Sequence, residues 1–123
     1  MPRLFVAVRP DHSVRRALAE LPSVDEPGVR RVPPENWHVT LRFLGEVAST
    51  DVPTLVDALA AAPFERAVLG FGPALARLGR RQIVIPVDGA ATLAAVVLGA
   101  TGGIGIVEQR PFFGHLTVAR TRE

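Results

Sequence analysis

The chain of 123 residues contains no cysteine, no lysine and no tyrosine, and only three histidines. Without cysteine there is no disulfide framework and no thiol nucleophile. Three histidines without cysteine are poor material for a structural zinc site; no cofactor is expected of the chain. No apolar run approaches the roughly 20 residues that a bilayer-spanning helix needs. The opening MPRLFVAV lacks the apolar core and cleavage site of a secretory signal. A soluble, cytoplasmic protein with no membrane partner is the expectation. With lysine and tyrosine missing, the pI of 10.9 overstates the basicity: the formal charge is only +2, from 14 arginines against 12 acidic residues. Bulk electrostatics therefore argue weakly for a nucleic-acid partner.

What is present suits one domain over residues 1–123, with 48% apolar and 21% charged residues. The arginines are unevenly spread. Arg30, Arg31, Arg42, Arg77, Arg80, Arg81, Arg110, Arg120 and Arg122 crowd around two similar segments described below and the loops near them. The planar guanidinium donates two hydrogen bonds at once to a phosphate. The plain alternative for each is a solvated surface.

Leu4–Val8 is a short apolar run and reads as a buried strand. Asp11 or Ser13 caps a helix carrying Val14, Leu18 and Leu21, which Pro22 stops. Val29–Val32 reads as a short strand, and Trp37–Leu44 as a strand ended by Gly45. Asp51 caps a second helix with Pro53 in its first turn. Phe64–Phe71 reads as a strand, 72–80 as a loop, and Gln82–Val87 as a strand in which Pro86 points to an edge or a bulge. Asp88 caps a third helix reaching Ala100, and Ile104–Val107 and Phe112–Ala119 close the chain as strands. The mixture predicts an α+β fold with antiparallel or mixed sheets flanked by helices. Residues 4–44 and 66–119 run through similar series, which suggests a duplication about a pseudo-twofold axis.

Two segments carry the chemistry: WHVTLRFL at 37–44 and GHLTVAR at 114–120. Residues two apart on a strand share a face, so His38 projects with Thr40, and His115 with Thr117. An ordinary imidazole gains or loses a proton near neutrality. Two that face one another supply a base and an acid in one turnover. A threonine hydroxyl beside each donates to an oxyanion. One H-x-T is common in strands. Here two of the three histidines have threonine two places on, although the chain has only 7 threonines. Arg42 would share the His38 face of a regular strand. Arg120 would lie opposite His115 unless a bulge redirects it. Trp37, Phe5 and Phe43 read first as packing residues, with base stacking as a second role for the two phenylalanines. His12 reads as surface.

HVTLRFLGEV and RPFFGHLTVAR, with RLFVAVRP at the start and VPPENW before the first motif, resemble the signatures of the two-histidine (2H) phosphoesterase superfamily. Among its branches they are most similar to the RNA 2′,3′-cyclic phosphodiesterases, or 2′-5′ RNA ligase-like proteins. The resemblance implies a bilobal α+β fold with two pseudo-symmetric lobes and a cleft between them. It implies metal-independent opening of a 2′,3′-cyclic phosphate to a 2′-phosphate on RNA ends or cyclic nucleotides. His38 and His115 become the catalytic pair, His38 as acid toward O3′ and His115 as base. Thr40 and Thr117 bind phosphate oxygens, with Arg42 and Arg120 as further phosphate ligands.

Two departures stand out. Gly114 replaces the proline usual before the second histidine, which would loosen the backbone there. The chain also reads as C-terminally shortened, leaving apolar surface for a second copy to cover in a homodimer. Three alternatives follow: a 2′-5′ RNA ligase, a hydrolase of another cyclic phosphate, and a non-catalytic RNA-binding remnant. A purely structural domain is a more distant reading.

Overall fold

The computed structural model describes residues 1–21 and 26–122. In chain order the elements are β1 (Arg3–Val8), α1 (His12–Ala19), β2 (Val29–Arg31), β3 (Val39–Glu46), α2 (Val52–Ala61), β4 (Gly70–Phe71), β5 (Ala76–Leu78), β6 (Gln82–Asp88), α3 (Ala91–Thr101) and β7 (His115–Thr121). The strands are ordered β1-β3-β7-β6-β4, with β2 also on β7 and β5 also on β6. The pairings among the described residues are antiparallel. The fold is thus α+β.

Period-two alternation sets the core. Val39, Leu41, Ile85 and Leu116 turn to one face, the underside of the sheet, where Val39 and Leu116 are 1% and 0% exposed. Ala94 and Val97 of α3 pack there with Trp37 and Val87, and Leu55 of α2 joins Leu44 and Val47 in a second cluster. Burying a side chain such as Leu116 contributes about 1.5–3 kcal/mol.

Local chemistry explains where elements begin and end. Asp11 caps α1, its carboxylate accepting from the Val14 amide at 3.0 Å and the Ser13 hydroxyl at 2.8 Å. These hydrogen bonds favour the charged form and lower the Asp11 pKa. Pro22, the expected stop, lies outside the described residues. Neither Asp51 nor Asp88 acts as expected. The Asp51 side chain makes no capping bond, and Asp88 ends β6 while α3 starts after Ala90. Gly45 does not end β3. It sits within the strand at φ +74°, opposite Leu4 beside a register shift. Only Gly70–Phe71 of the expected strand 64–71 pairs, β5 forms inside the expected loop, and 104–107 is not a strand. Pro86 is tolerated because the neighbouring chain switches there from β4 to β5, both of which pair with β6.

The duplication is visible in the registers. Val39 pairs with Leu116, and 116 minus 39 is 77. Adding 77 to each residue of Val8↔Val39 gives Ile85↔Leu116, and to Ala7↔Thr40 gives Val84↔Thr117, both of which pair in the structure. Even the irregularities repeat. Val6 pairs with Arg42 and Ala7 with Thr40, so Leu41 is an extra residue; Ile83 pairs with Ala119 and Val84 with Thr117, so Val118 is extra. Such a bulge inverts the alternation beyond it. Residues 42 and 119 therefore turn to the underside, where Arg42 is 7% and Ala119 2% exposed.

This corrects the expectation for Arg42, which leaves the His38 face at the bulge. Its Nη1 donates to the carbonyl and hydroxyl of Thr101 at 2.6 and 2.8 Å, and its Nη2 to the carbonyls of Ile104 and Ile106 at 2.5 and 2.9 Å. The guanidinium thus closes the C-terminus of α3, where unpaired carbonyls and the helix dipole favour a cation. Burial lowers its pKa from the ordinary arginine value. Its Nε has no partner among the described residues. Arg42 is a structural clamp between β3, α3 and the chain that follows. Arg42→Met keeps the aliphatic stem but orphans these acceptors. It should lower unfolding free energy by about 3 kcal/mol or more, measured by urea denaturation. An unchanged midpoint would show that the clamp contributes nothing.

Candidate active site

The side of the sheet away from Val39 and Leu116 carries the two H-x-T segments. Continuing the Val39↔Leu116 antiparallel register one residue each way sets His38 opposite Thr117 and Thr40 opposite His115. The four side chains share one face, each partly buried. The histidines lie on one diagonal and the threonines on the other. Diagonal neighbours on paired strands are about 7–8 Å apart, which leaves room for a phosphate between them.

Both imidazoles are held alike. His38 Nδ1 is 2.8 Å from the Asn36 carbonyl and His115 Nδ1 is 2.8 Å from the Phe113 carbonyl. A carbonyl only accepts, so each Nδ1 carries the hydrogen and each Nε2 is left for chemistry. Asn36 and Phe113 also differ by 77. The rings lean on aromatics: Phe5 lies 5.0 Å from His38, tilted by 31°, and Phe113 stacks 5.4 Å from His115 at 17°. The Thr117 hydroxyl meets Gln82 Oε1 at 3.1 Å and donates to it. Gln82 and Phe113 were not foreseen as neighbours of the site. Placing them required the β6–β7 register and the backbone turn before His115.

Arg120 lies beyond the Val118 bulge, pairs with Gln82, and is returned to the His115 face. The bulge contemplated for Arg120 thus exists, and its twofold copy removes Arg42. Trp37 packs as expected, buried, with Nε1 donating to the Val32 carbonyl at 3.0 Å. His12 is exposed at the start of α1. Phe5 is not a core residue: it is 50% exposed and rests on His38. Phe43 is partly buried beneath the Arg3 guanidinium, 5.5 Å from its ring centre.

The site is an open face. A cavity of about 260 Å³ lies on the opposite side, lined by Leu18, Val32, Trp37, Ile85 and Val118 among others, too apolar for the same chemistry. Among the described residues no three His, Asp or Glu side chains gather as a metal ligand set. No helix among them is long and apolar enough to cross a membrane.

Gly114 has a different role from the loosening expected of it. Its carbonyl accepts from the Val87 amide at 2.9 Å, and a Cβ built on it would stand 2.5 Å from the Val87 carbonyl oxygen. The missing side chain lets β6 approach the backbone that aims His115. Gly114→Ala should cost about 1–3 kcal/mol by overpacking, read from urea denaturation, and misplace His115. A variant with unchanged stability would show that the strands give way freely.

Comparison with known proteins agrees with this geometry. A family model described as LigT like Phosphoesterase matches residues 6–85, which include the first H-x-T segment. The RNA 2′,3′-cyclic phosphodiesterase of Archaeoglobus fulgidus is 36% identical over 131 residues, covering 98% of this chain and 73% of that protein. A crystal structure of a Thermus thermophilus protein superposes with a TM-score of 0.74 at 26% identity, covering 99% of this chain and 75% of that one. Escherichia coli LigT in complex with 3′-AMP superposes at 0.72 and 24% identity, covering 96% and 72%, and supports the fold. By sequence and by fold the chain belongs to the LigT-like phosphoesterases of the two-histidine superfamily.

Proposed function

We propose that the protein is an RNA 2′,3′-cyclic phosphodiesterase, a metal-independent hydrolase that opens the cyclic phosphate to a 2′-phosphate. The observation that carries this reading is the twofold-related pair of imidazoles, each held through Nδ1 by a carbonyl and each with Nε2 free beside a threonine. The Archaeoglobus relative of that name supports the substrate class.

In this mechanism the cyclic phosphate sits between the two diagonals. Thr40 donates to a non-bridging oxygen, where negative charge grows in the transition state, and Thr117 does the same once its hydroxyl hydrogen turns from Gln82 Oε1 to the phosphate. His115 Nε2 takes a proton from water as the water oxygen bonds to phosphorus. The P–O3′ bond breaks, and His38 Nε2–H delivers its proton to the departing O3′. The product has a 2′-phosphate and a free 3′-hydroxyl. Each histidine finishes in the other's starting state, and the pair resets by exchanging protons with solvent. Arg120 adds a charged donor on the Thr117 side, whereas Arg42 takes no part. Phe5, exposed beside His38, offers a flat surface to the base.

The unit works as one domain of two pseudo-symmetric halves in the cytoplasm. A second copy covers the apolar groove beside Leu18, Leu21 and Leu75. Light scattering at high protein concentration should report a dimer, and a clean monomer removes that part of the reading.

His38→Ala and His115→Ala should each lower kcat on a nucleoside 2′,3′-cyclic phosphate by about 10²–10⁴-fold with unchanged thermal unfolding. The wild-type kcat/KM should trace a bell against pH, keep its height in EDTA, and lose one limb in each variant. Full activity in either variant removes that histidine from the mechanism. No turnover at any pH favours an RNA-binding module.

A further inference from the structure

The duplicated frame has different surroundings at its two ends. Subtracting 77 from Gln82 and Arg120 gives Phe5 and Phe43, and adding 77 to Arg30 gives Val107. The end beyond Thr40 therefore carries two aromatic rings, Phe5 half exposed and Phe43 beneath the Arg3 guanidinium, and the end beyond Thr117 carries Gln82 with several exposed arginines. Arg30 pairs with Arg120 across β2 and β7, and Arg120 with Gln82 across β7 and β6, so the three form one row on the catalytic face. Next to that row the Thr121 amide bonds the Arg81 carbonyl, the Thr121 hydroxyl bonds the Arg80 carbonyl, and the Arg122 amide bonds the Gly28 carbonyl. Arg30, Arg80, Arg81, Arg120 and Arg122 are all exposed, and none forms an ion pair among the described residues.

We infer that this arginine tract is a second phosphate-binding site that holds the sugar–phosphate backbone of a single-stranded RNA whose end is being processed. Arg120 stands three residues from Thr117, roughly 10 Å along the strand at about 3.3 Å per residue. The remaining arginines extend the charge beyond the reach of a mononucleotide's single reacting phosphate. Arg30 and Arg120 are neighbours in that row and Arg122 follows two residues on, so their guanidiniums suit consecutive phosphates, which they contact without reading sequence. Continuity with the Thr117–Gln82 contact favours a nucleic acid that enters the site over an anionic surface that would only rest on the patch. The tract thus makes the enzyme selective for oligonucleotides.

The inference rests on the proposed activity, and the test separates the two. The double variant R30A/R122A leaves the H-x-T residues and Arg120 untouched. It should raise KM about tenfold or more for a short RNA ending in a 2′,3′-cyclic phosphate, while KM and kcat for a nucleoside 2′,3′-cyclic phosphate stay unchanged. The salt slope of log kcat/KM on the oligonucleotide should fall by roughly 1.4, about 0.7 per lost single-strand phosphate contact. Equal values for wild type and variant on the oligonucleotide overturn the inference, as does an equal loss on both substrates. If the wild type opens neither substrate, the proposed activity fails and binding decides. Fluorescence anisotropy with a labelled RNA ending in a 3′-phosphate should then show salt-sensitive binding that the double variant loses. RNA binding unaffected by the variant, with lost binding to anionic lipid vesicles, assigns the patch to membranes and overturns the inference.

Discussion

Val39 against Leu116 is the contact on which the arrangement depends. It is the one pairing assigned between β3 and β7 among the described residues, and both side chains are almost fully buried. It lies at the centre of the pseudo-twofold relation. Because antiparallel neighbours share a face, this register fixes His38 by Thr117 and Thr40 by His115 at once. A slip of one residue would turn one H-x-T segment toward the apolar underside, so the register of the core and the register of the H-x-T residues are the same constraint.

The two bulges show how one backbone device serves different ends. At Leu41 it rotates Arg42 into the underside, where the guanidinium binds carbonyls at the end of α3 and in the chain that follows. At Val118 it rotates Ala119 under and brings Arg120 onto the H-x-T face. The small Ala119 instead lines the groove beside Leu18 and Ala19 at the end of α1. The duplication sets the backbone, and the side chains differ between the halves: a buried structural charge on one, an exposed arginine on the H-x-T face of the other.

Much of this was legible in the sequence. The H-x-T spacing, period-two burial and arginine crowding gave the strands, the shared faces and the α+β class. The family signature pointed to the phosphoesterase family that the comparisons show. What escaped was set by tertiary contact. The destination of Arg42 depends on a bulge at Leu41, and an ordinary leucine there gives no local signal. The role of Gly114 depends on the approach of Val87, distant in sequence. Gln82 reaches Thr117 only through the β6–β7 register. The helix starts were misjudged at Asp51 and Asp88 because an acidic residue near a helix is only a weak marker when tertiary packing places the first turn.

The central claim is that both imidazoles hold their Nδ1 hydrogens against the backbone and offer Nε2 to one shared phosphate. Long-range proton–nitrogen correlation on ¹⁵N-histidine protein reads this directly during titration with a nucleoside 2′-phosphate. The account predicts Nδ1–H for the neutral rings of His38 and His115 before ligand is added. On titration the Nε2 resonances of both should shift together with one dissociation constant, while His12 stays still. An Nε2–H tautomer in both free rings, or a ligand that moves only one of the two, would contradict it.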